Sequence, residues 1–195
     1  MLVCIGCGLG MGQISEKILK NVLKKVSCPC VIDADGLNLL SRNIELLNQC
    51  CAPVILTPHM KEMSRLTGWS IDTIMEDRFQ ALDQIIKQSG PDTKSSIICV
   101  LKDSRTVVAQ TNRQKFVNLA GNNSMAKGGS GDVLAGTIAG LLAQHMAPFE
   151  ATTVGVFLHA CGGDEAKKSK GSYSVLARDL IQGMADAMKN AKECR

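Results

Sequence analysis

Aromatic side chains are scarce in this sequence, which has one tryptophan, one tyrosine and four phenylalanines among its 195 residues. Proteins that bind nucleic acid usually combine a strongly basic face with aromatic side chains that stack on bases. Here the net charge is only +4. We therefore expect no nucleic-acid partner, and the mild positive charge suits a small anionic substrate better.

Long apolar runs are also missing. No segment approaches the roughly 18 consecutive apolar residues that a transmembrane helix needs. The first residues, MLVCIGCGLGMG, lack the basic region that opens a signal peptide. These two absences predict a cytoplasmic protein without a membrane partner.

Cysteine, in contrast, is abundant, with nine residues. Several of them, such as Cys4 and Cys99, lie in apolar segments, which predicts reduced and buried thiols. The pairs Cys4/Cys7 and Cys28/Cys30 come nearest to a zinc-binding spacing. The second pair is tighter than zinc sites use and the first encloses a glycine, so we predict no zinc site.

Short apolar runs and amphipathic stretches alternate along the chain, which predicts strands separated by helices. Such an order favours a largely parallel sheet with helices on both faces. We therefore predict one α/β domain over residues 1–195, a three-layer α/β/α sandwich with an antiparallel hairpin. The predicted strands are residues 2–5, 30–32, 54–56, 96–101, 106–110 and 114–118, and the predicted helices are residues 15–25, 38–47, 61–67, 74–89, 132–144, 150–166 and 177–192.

Polar and glycine-rich clusters follow the predicted strands. Ligands of parallel α/β sheets bind at the carboxyl ends of the strands, so we expect these clusters to form one site. They are residues 6–10, 33–38, 57–62, 102–106 and 121–132.

The most informative cluster is Gly128-Gly129-Ser130-Gly131-Asp132. Its residues 128–131, the second glycine loop, precede an apolar helix whose first N–H groups have no intrahelical acceptor. Glycines let these groups approach an anion closely, so the segment predicts a phosphate site with Asp132 beside it. The alternative is that Asp132 only caps the helix.

Lys102 and Thr106 follow a predicted buried strand. A lysine there can neutralise phosphate and a threonine hydroxyl can donate to it. A solvated hairpin turn is the alternative for both residues.

His59 and Glu62 follow another strand, which Pro58 ends. The imidazole could bind substrate, whereas a surface position for His59 and a helix-capping role for Glu62 are the alternatives.

Asp33 and Asp35 end a third strand, with Asn38 close by. Their carboxylates could hold Mg²⁺ through water, or they could merely form a turn that caps a helix.

The first glycine loop, residues 6–10, follows the first strand. It departs from the dinucleotide-binding pattern G-x-G-x-x-G because Met11 stands where the third glycine belongs. We expect close approach of its backbone to a ligand, but not a Rossmann cofactor site.

We predict a structural role for His159.

In combination these motifs resemble the ADP-dependent (S)-NAD(P)H-hydrate dehydratases of the ribokinase-like superfamily. The resemblance rests on five ordered motifs and on the segment SYSVLARDLI at residues 172–181, and it covers essentially the whole chain. The matching motifs are DADGLN at residues 33–38, LTPH with Glu62-Met63, VLK with Thr106, Gly121-Asn122, and Met125-Ala126 leading to residues 128–132.

The resemblance implies a repair reaction in which the 6-hydrated S epimer of NADH or NADPH is dehydrated while ADP, or ATP in some relatives, is consumed. The co-substrates would be ADP and Mg²⁺, and the assembly a homo-oligomer, a tetramer in the family. The implied nucleotide-binding residues are Lys102, Asp103, Ser104, Arg105, Thr106, Gly129, Ser130 and Gly131. The implied substrate-binding residues are Gly8, Gly10, His59 and Asp132, with Asp33, Asp35, Asn38, Glu62 and Asn122 as further candidates.

Asp132 would act as general base on the 6-hydroxyl of the substrate. That oxygen would attack the terminal phosphoryl group, which the amides of residues 129–131 hold, and phosphate would then leave. A small-molecule kinase of the same superfamily, which needs the same geometry, and an inactive nucleotide-binding remnant are the alternatives.

The sequence departs from the family pattern at four positions. Cys7 stands where relatives carry proline, Lys61 and Asp103 where they carry glycine, and Lys127 where they carry threonine. Asp103 would place a negative charge beside the phosphate site, which Lys127 would offset.

Relatives also carry roughly a further half-domain before the first glycine loop. We expect the first strand to leave an open sheet edge that a second copy covers.

Overall fold

Six strands follow one another across a single sheet in their chain order. The computed structural model describes residues 1–87, 96–111 and 114–193. Its strands are β1 (Val3–Ile5), β2 (Cys30–Ile32), β3 (Val54–Leu56), β4 (Ile97–Leu101), β5 (Val107–Gln110) and β6 (Lys115–Val117). Its helices are α1 (Gln13–Lys25), α2 (Asp35–Leu40), α3 (Met60–Thr67), α4 (Ile71–Glu76), α5 (Arg78–Ile86), α6 (Ser130–Ala143), α7 (Pro148–Lys170) and α8 (Ala177–Glu193), with 3₁₀ turns at Ile44–Gln49 and Asn123–Met125.

Strands β1 to β4 are parallel, and β5 and β6 continue the sheet as an antiparallel hairpin. The predicted combination of a parallel sheet with a hairpin is therefore confirmed. The parallel strands β1 to β4 direct their carboxyl ends to one edge, where the polar clusters follow them. β1 lies at the end of the sheet and is less buried than β2 and β3.

Successive residues of the central strands pack into different layers. Ile32, Leu56 and Cys99 belong to the core beneath helices α1 to α5. Val31, Ile55 and Ile98 belong to the core beneath α6 and α7. The sheet is thus buried between two helical layers, as predicted, and its helix-to-strand crossovers bring the strand ends together on a rigid edge.

Two predicted helices are interrupted. The helix expected over residues 38–47 is α2, which ends at Leu40, followed by a separate 3₁₀ turn. The helix expected over residues 74–89 is divided between α4 and α5 at Asp77, whose φ is −142° and whose carboxylate caps α5 through the N–H of Gln80. Residues 88 and 89, like residues 112 and 113 of the predicted hairpin turn, lie outside the described residues.

The thiols are less uniformly buried than the sequence predicted. Cys99 and Cys30 are buried, but Cys4 is exposed because β1 lies at the edge of the sheet. The eight cysteines in the described part of the chain are all free thiols. None of the helices described is long and apolar enough to cross a membrane.

Candidate active site

The carboxyl ends of β2 and β4 meet in an ion pair between Asp33 and Lys102. Lys102 Nζ lies 2.7 Å from Asp33 Oδ1, and the two side chains are 19% and 2% exposed. A buried carboxylate needs such a partner because desolvation strongly disfavours an isolated charge. The pair is therefore held in place between the strand ends, and we call this ion pair the floor of the site.

The first glycine loop packs directly on the backbone of Asp33. A Cβ atom on Gly6 would lie 1.8 Å from the carbonyl oxygen of Asp33, and its φ of +130° is itself unfavourable for other residues. At the other end of the loop, the N–H of Gly10 donates to Asp35 Oδ2 at 2.8 Å. The loop is thus held on the start of α2, and the predicted closeness of residues 6–10 to residues 33–38 is confirmed.

Ala34, between these two aspartates, adopts φ 49° and ψ −121°. A non-glycine residue with positive φ is strained, and such strain tends to accumulate at functional sites because the surrounding structure must impose it. The strained turn separates the two carboxylates, so that Asp33 pairs with Lys102 and Asp35 binds the first glycine loop.

The second glycine loop comes to the same floor from the other helical layer. Gly129 adopts φ +87° and stands at the N-cap of α6, so Asp132 is the third helical residue and not its cap. A Cβ atom on Gly131 would lie 3.2 Å from Lys102 Nζ and 3.5 Å from Asp33 Oδ2. This helix start therefore abuts the ion pair.

The amides of this loop are unequal. The N–H of Ser130 donates to the carbonyl of Lys127 at 3.2 Å, which removes it from the predicted anion-binding set. The first intrahelical bond runs from Val133 to Gly129. The N–H groups of Gly131 and Asp132 come before it, so they are left to a ligand or to solvent.

Asp132 lies with Cys7 and Asp33 in a cluster whose potential ligand atoms are all within 4.8 Å of one another. Burial and the hydrogen bond to Asp132 raise the pKa of the Cys7 thiol to about 12. At neutral pH Cys7 is therefore a protonated donor to Asp132. The two carboxylates offer the oxygen ligands that Mg²⁺ prefers, so this donor set fits a Mg²⁺ ion carried by nucleotide phosphates.

His59 and Glu62 form the cap of α3. His59 Nδ1 accepts from the N–H groups of Lys61 and Glu62, and the N–H of His59 donates to Glu62 Oε2 at 2.9 Å. His59 also pairs with Lys102 in an isolated β-bridge, which places it on the edge that carries the ion pair. Because Nδ1 accepts, Nε2 carries the proton of the neutral ring. Nε2 lies 3.5 Å from Glu62 Oε1, a long contact from a half-exposed ring that a closer ligand could replace.

The segment after β4 is exposed at Asp103, Ser104 and Arg105. Asp103 does not carry a free negative charge, because its carboxylate lies 3.0 Å from the guanidinium of Arg78. Thr106 donates its hydroxyl to the carbonyl of Asp103. Only Lys102 reaches the floor of the site, and nucleotide binding by residues 103–106 stays a prediction.

Asn122 holds in place the segment that leads into the second glycine loop. Its Nδ2 donates to Asp164 Oδ1 at 2.7 Å, and its Oδ1 accepts from the N–H of Ser124. Asp164 also accepts from the N–H of Gly121. The side chain of Asn122 is committed to holding this loop, and a contact with a ligand stays a prediction.

His159 supports the second glycine loop from below, which agrees with the structural role predicted. It is 8% exposed, and its Nε2 lies 3.0 Å from the carbonyl oxygen of Ser130. Since a carbonyl only accepts, Nε2 carries the proton. Burial lowers the pKa of His159 to about 4, so the ring is neutral at physiological pH.

The sequence analysis missed three arginines. Arg78 neutralises Asp103, Arg65 donates to Asn38 Oδ1 at 2.6 Å, and Arg42 lies beside the carbonyl of Met11. Their helix positions give no local signal, since each partner lies 25 positions or more away in the sequence.

Nearly the whole chain is similar to one family of enzymes. The family model described as NAD(P)H-hydrate dehydratase matches residues 1–185. An ADP-dependent (S)-NAD(P)H-hydrate dehydratase of Neisseria meningitidis is 38% identical over 189 residues, which are 95% of this chain and 62% of that protein. A bifunctional NAD(P)H-hydrate repair enzyme of Moorella thermoacetica is 36% identical over 98% of this chain and 35% of that protein.

A solved structure is similar over nearly the same extent. It is that of the ADP/ATP-dependent NAD(P)H-hydrate dehydratase of Bacillus subtilis co-crystallised with ATP and Mg²⁺. The TM-score is 0.81 and the identity 28%, and the match covers 97% of this chain and 64% of that one. The chain thus spans between 35% and 64% of the length of these three proteins.

Proposed function

The chain belongs to the NAD(P)H-hydrate dehydratase family, and from that premise we propose that it catalyses the ADP-dependent dehydration of the S epimer of hydrated NADH or NADPH. The observation that carries this proposal is the position of Asp132. It lies in the first turn of α6, within 4.8 Å of Cys7 and Asp33, at the edge where the parallel strands end. A carboxylate there stands beside both an anion-binding helix start and the Asp33–Lys102 pair.

Asp132 takes the proton from the 6-hydroxyl of the substrate as that oxygen attacks the β-phosphoryl group of ADP. The bond from the β-phosphorus to the bridging oxygen breaks, and AMP leaves. The N–H groups of Gly131 and Asp132 and the ammonium of Lys102 stabilise the charge on the transferred group. Mg²⁺ bound with the phosphates would neutralise further charge.

The phosphorylated intermediate then loses phosphate. The C6–O bond breaks with its electrons on the phosphate, and the proton on C5 passes to water, which restores the C5–C6 double bond of the reduced nicotinamide. Phosphate is a far better leaving group than hydroxide, so one molecule of ADP drives each dehydration. The products are NAD(P)H, AMP and phosphate.

His59 lies on the same edge, and we assign its Nε2–H to the substrate, which would replace the 3.5 Å contact with Glu62 Oε1. The backbone at Gly8 and Gly10 would line the substrate-binding site. Asp35 would hold Gly10 in place by accepting a hydrogen bond from the N–H of Gly10. Glu62 acts on His59 through the helix cap and does not itself contact the substrate in this proposal.

The test mixes the protein with hydrated NADH and ADP and follows recovery of absorbance at the reduced-nicotinamide band. We expect recovery that depends strictly on ADP. Asp132→Asn should lower kcat roughly 10²- to 10⁴-fold while ADP binding is retained, because it removes the base but keeps the side-chain size. Asp72→Asn, an exposed position in the first turn of α4, is the matched control and should keep the wild-type rate.

Other outcomes would contradict the proposal. Phosphate transfer from ATP to a stable alcohol, without dehydration, would favour the kinase. ADP binding without recovery of absorbance would favour a nucleotide-binding remnant. An unchanged rate in Asp132→Asn would exclude Asp132 as the base.

A further inference from the structure

A second group of polar side chains lies next to the first glycine loop, at Met11. They surround a surface cavity of about 390 Å³ lined by Met11, Asn38, Ser41, Arg42 and Arg65. Neither of its two arginines takes part in the chemistry proposed for Asp132.

The cavity concentrates positive charge. Arg65 uses one nitrogen to donate to Asn38 Oδ1 at 2.6 Å, which orients the guanidinium and leaves most of its donors unused. Arg42 lies 3.6 Å from Glu16, but both side chains are about half exposed, at 48% and 49%. Exposed ion pairs of this kind are weak. Within the described part of the chain, one loosely held carboxylate, that of Glu16, is thus paired with these two guanidinium groups.

Guanidinium groups are the preferred partners of phosphate, because their planar fork matches two phosphate oxygens at once. A phosphate in the cavity could displace Glu16 from Arg42 at little cost, since that contact is long and solvated. Arg65, already oriented by Asn38, loses less conformational freedom on binding than a free arginine would.

Helix α2 links this cavity to the proposed active site. Its first residue, Asp35, binds the amide of Gly10, and Asn38 and Ser41 follow at intervals of three residues. At a rise of about 1.5 Å per residue, Ser41 lies roughly 9 Å along the helix from Asp35. A dinucleotide is an extended molecule, so one whose nicotinamide lies at Asp132 can extend past the first glycine loop to the cavity.

We propose that Arg42 and Arg65 bind a phosphate group of the dinucleotide substrate and so hold the molecule at a point away from the hydrated ring. This inference rests on the proposed function, because it takes the substrate to be a nicotinamide dinucleotide. The phosphate is either one of the diphosphate pair, which NADH and NADPH share, or the 2′-phosphate that only NADPH carries.

The experiment titrates NADH and NADPH, the reaction products, into the protein by calorimetry in the absence of ADP. We compare wild type with Arg42→Gln and Arg65→Gln, and use Arg178→Gln, at an exposed position of α8, as a control with the same change of charge. Each cavity variant should raise the Kd roughly tenfold or more, as loss of a charged hydrogen bond does. The control and the affinity for ADP should stay within twofold of wild type.

Binding of the diphosphate and binding of the 2′-phosphate predict different results, and either result supports the inference. Weakening of both dinucleotides assigns the cavity to the diphosphate, and weakening of NADPH alone assigns it to the 2′-phosphate. Equal Kd values in wild type and both cavity variants, or no binding of either dinucleotide to the wild type, would overturn the inference. Because the titration needs no turnover, arginine-dependent binding without ADP-dependent dehydration would contradict only the proposed function.

Discussion

The first glycine loop, residues 6–10, and the second, residues 128–131, both approach Asp33, but they meet different parts of it. Gly6 packs against the carbonyl oxygen of Asp33, where a Cβ atom would overlap at 1.8 Å. Gly131 lies beside the carboxylate, where a Cβ atom would sit 3.5 Å from Oδ2. The first loop therefore depends on its glycine for packing against rigid backbone, whereas a side chain at Gly131 would crowd only the flexible end of Lys102, at 3.2 Å.

The comparison shows that a similar glycine content serves two purposes. In the first loop a glycine lets two backbone segments touch, which fixes the frame of the site. In the second loop Gly129 allows a left-handed turn that starts α6 beside Lys102 and leaves helix-start amides for an anion. Substitutions should therefore damage stability in the first loop and ligand binding in the second.

Gly6→Ala should have the largest effect. The new Cβ would overlap a backbone atom that no side-chain rotation can move, and the φ of +130° disfavours alanine as well. We expect a loss of at least about 5 kcal/mol in the free energy of unfolding, measured by urea denaturation.

Gly8→Ala is the matched control in the same loop. Its φ is +67°, and a Cβ atom there would meet nothing within 4 Å. It should cost only about 1 to 2 kcal/mol, the strain of a left-handed residue. Similar losses in the two variants would show that conformation and not packing sets the need for Gly6.

Lys102→Met should have the next largest effect, since it breaks the ion pair of Asp33, the residue that both loops contact. The variant leaves Asp33, 2% exposed, as an uncompensated buried charge. Breaking such a pair costs about 3 to 5 kcal/mol. Urea denaturation measures the loss.

A double variant separates the effect of the unpaired charge from that of the methionine side chain. Asp33→Asn combined with Lys102→Met removes both charges and should recover at least half of the stability lost in Lys102→Met. If the double variant is no more stable than the single one, the methionine side chain and not the unpaired charge is the cause.

Much of the frame could be predicted from the sequence. The buried strands β2 and β3 were predicted with their correct bounds, because short apolar runs between turn residues can bury both faces only in a covered sheet. The convergence of Asp33, His59 and Lys102 followed from the same order, since parallel strands end at one edge.

The partners of these residues could not be predicted. That Asp33 pairs with Lys102 across 69 residues, or that Asp103 is neutralised by Arg78, depends on distances set only by the finished fold. The break at Asp77 was missed because capping by its carboxylate outweighed the helical pattern on both sides. The unequal amides of the second glycine loop depend on the turn at Lys127, which composition does not specify.

His159 provides a pH test of how the second loop is supported. Its pKa is lowered to about 4 by burial, whereas an unfolded chain has the ordinary value of about 6.5. Between these values the unfolded state binds more protons, so His159 makes stability fall as the pH drops from about 6.5 to about 4. The 2.5 units between the two values correspond to a loss of roughly 3 kcal/mol at the acid end.

His159→Gln isolates this contribution. Its amide can still donate to the carbonyl of Ser130 but does not titrate. The unfolding free energy of the variant should therefore fall less than that of wild type between pH 7 and pH 4. Parallel curves for the two proteins would show that the folded chain already accommodates a charged imidazole.

Gly129→Ala should have the smallest effect on stability and a specific one on the ligand. At φ +87° alanine is strained by about 1 to 2 kcal/mol, and its Cβ would lie 3.2 Å from that of Ala177. Relief of that strain would turn the peptide units that start α6, so the KM for ADP should rise more than kcat falls. Gly128→Ala, where a Cβ atom meets nothing within 4 Å and φ is not positive, should leave both constants unchanged. Steady-state kinetics with hydrated NADH at saturating concentration measures the two constants.

If both alanine variants behave alike, the left-handed turn at Gly129 does not position the nucleotide. The two glycine loops would then not differ in function as proposed.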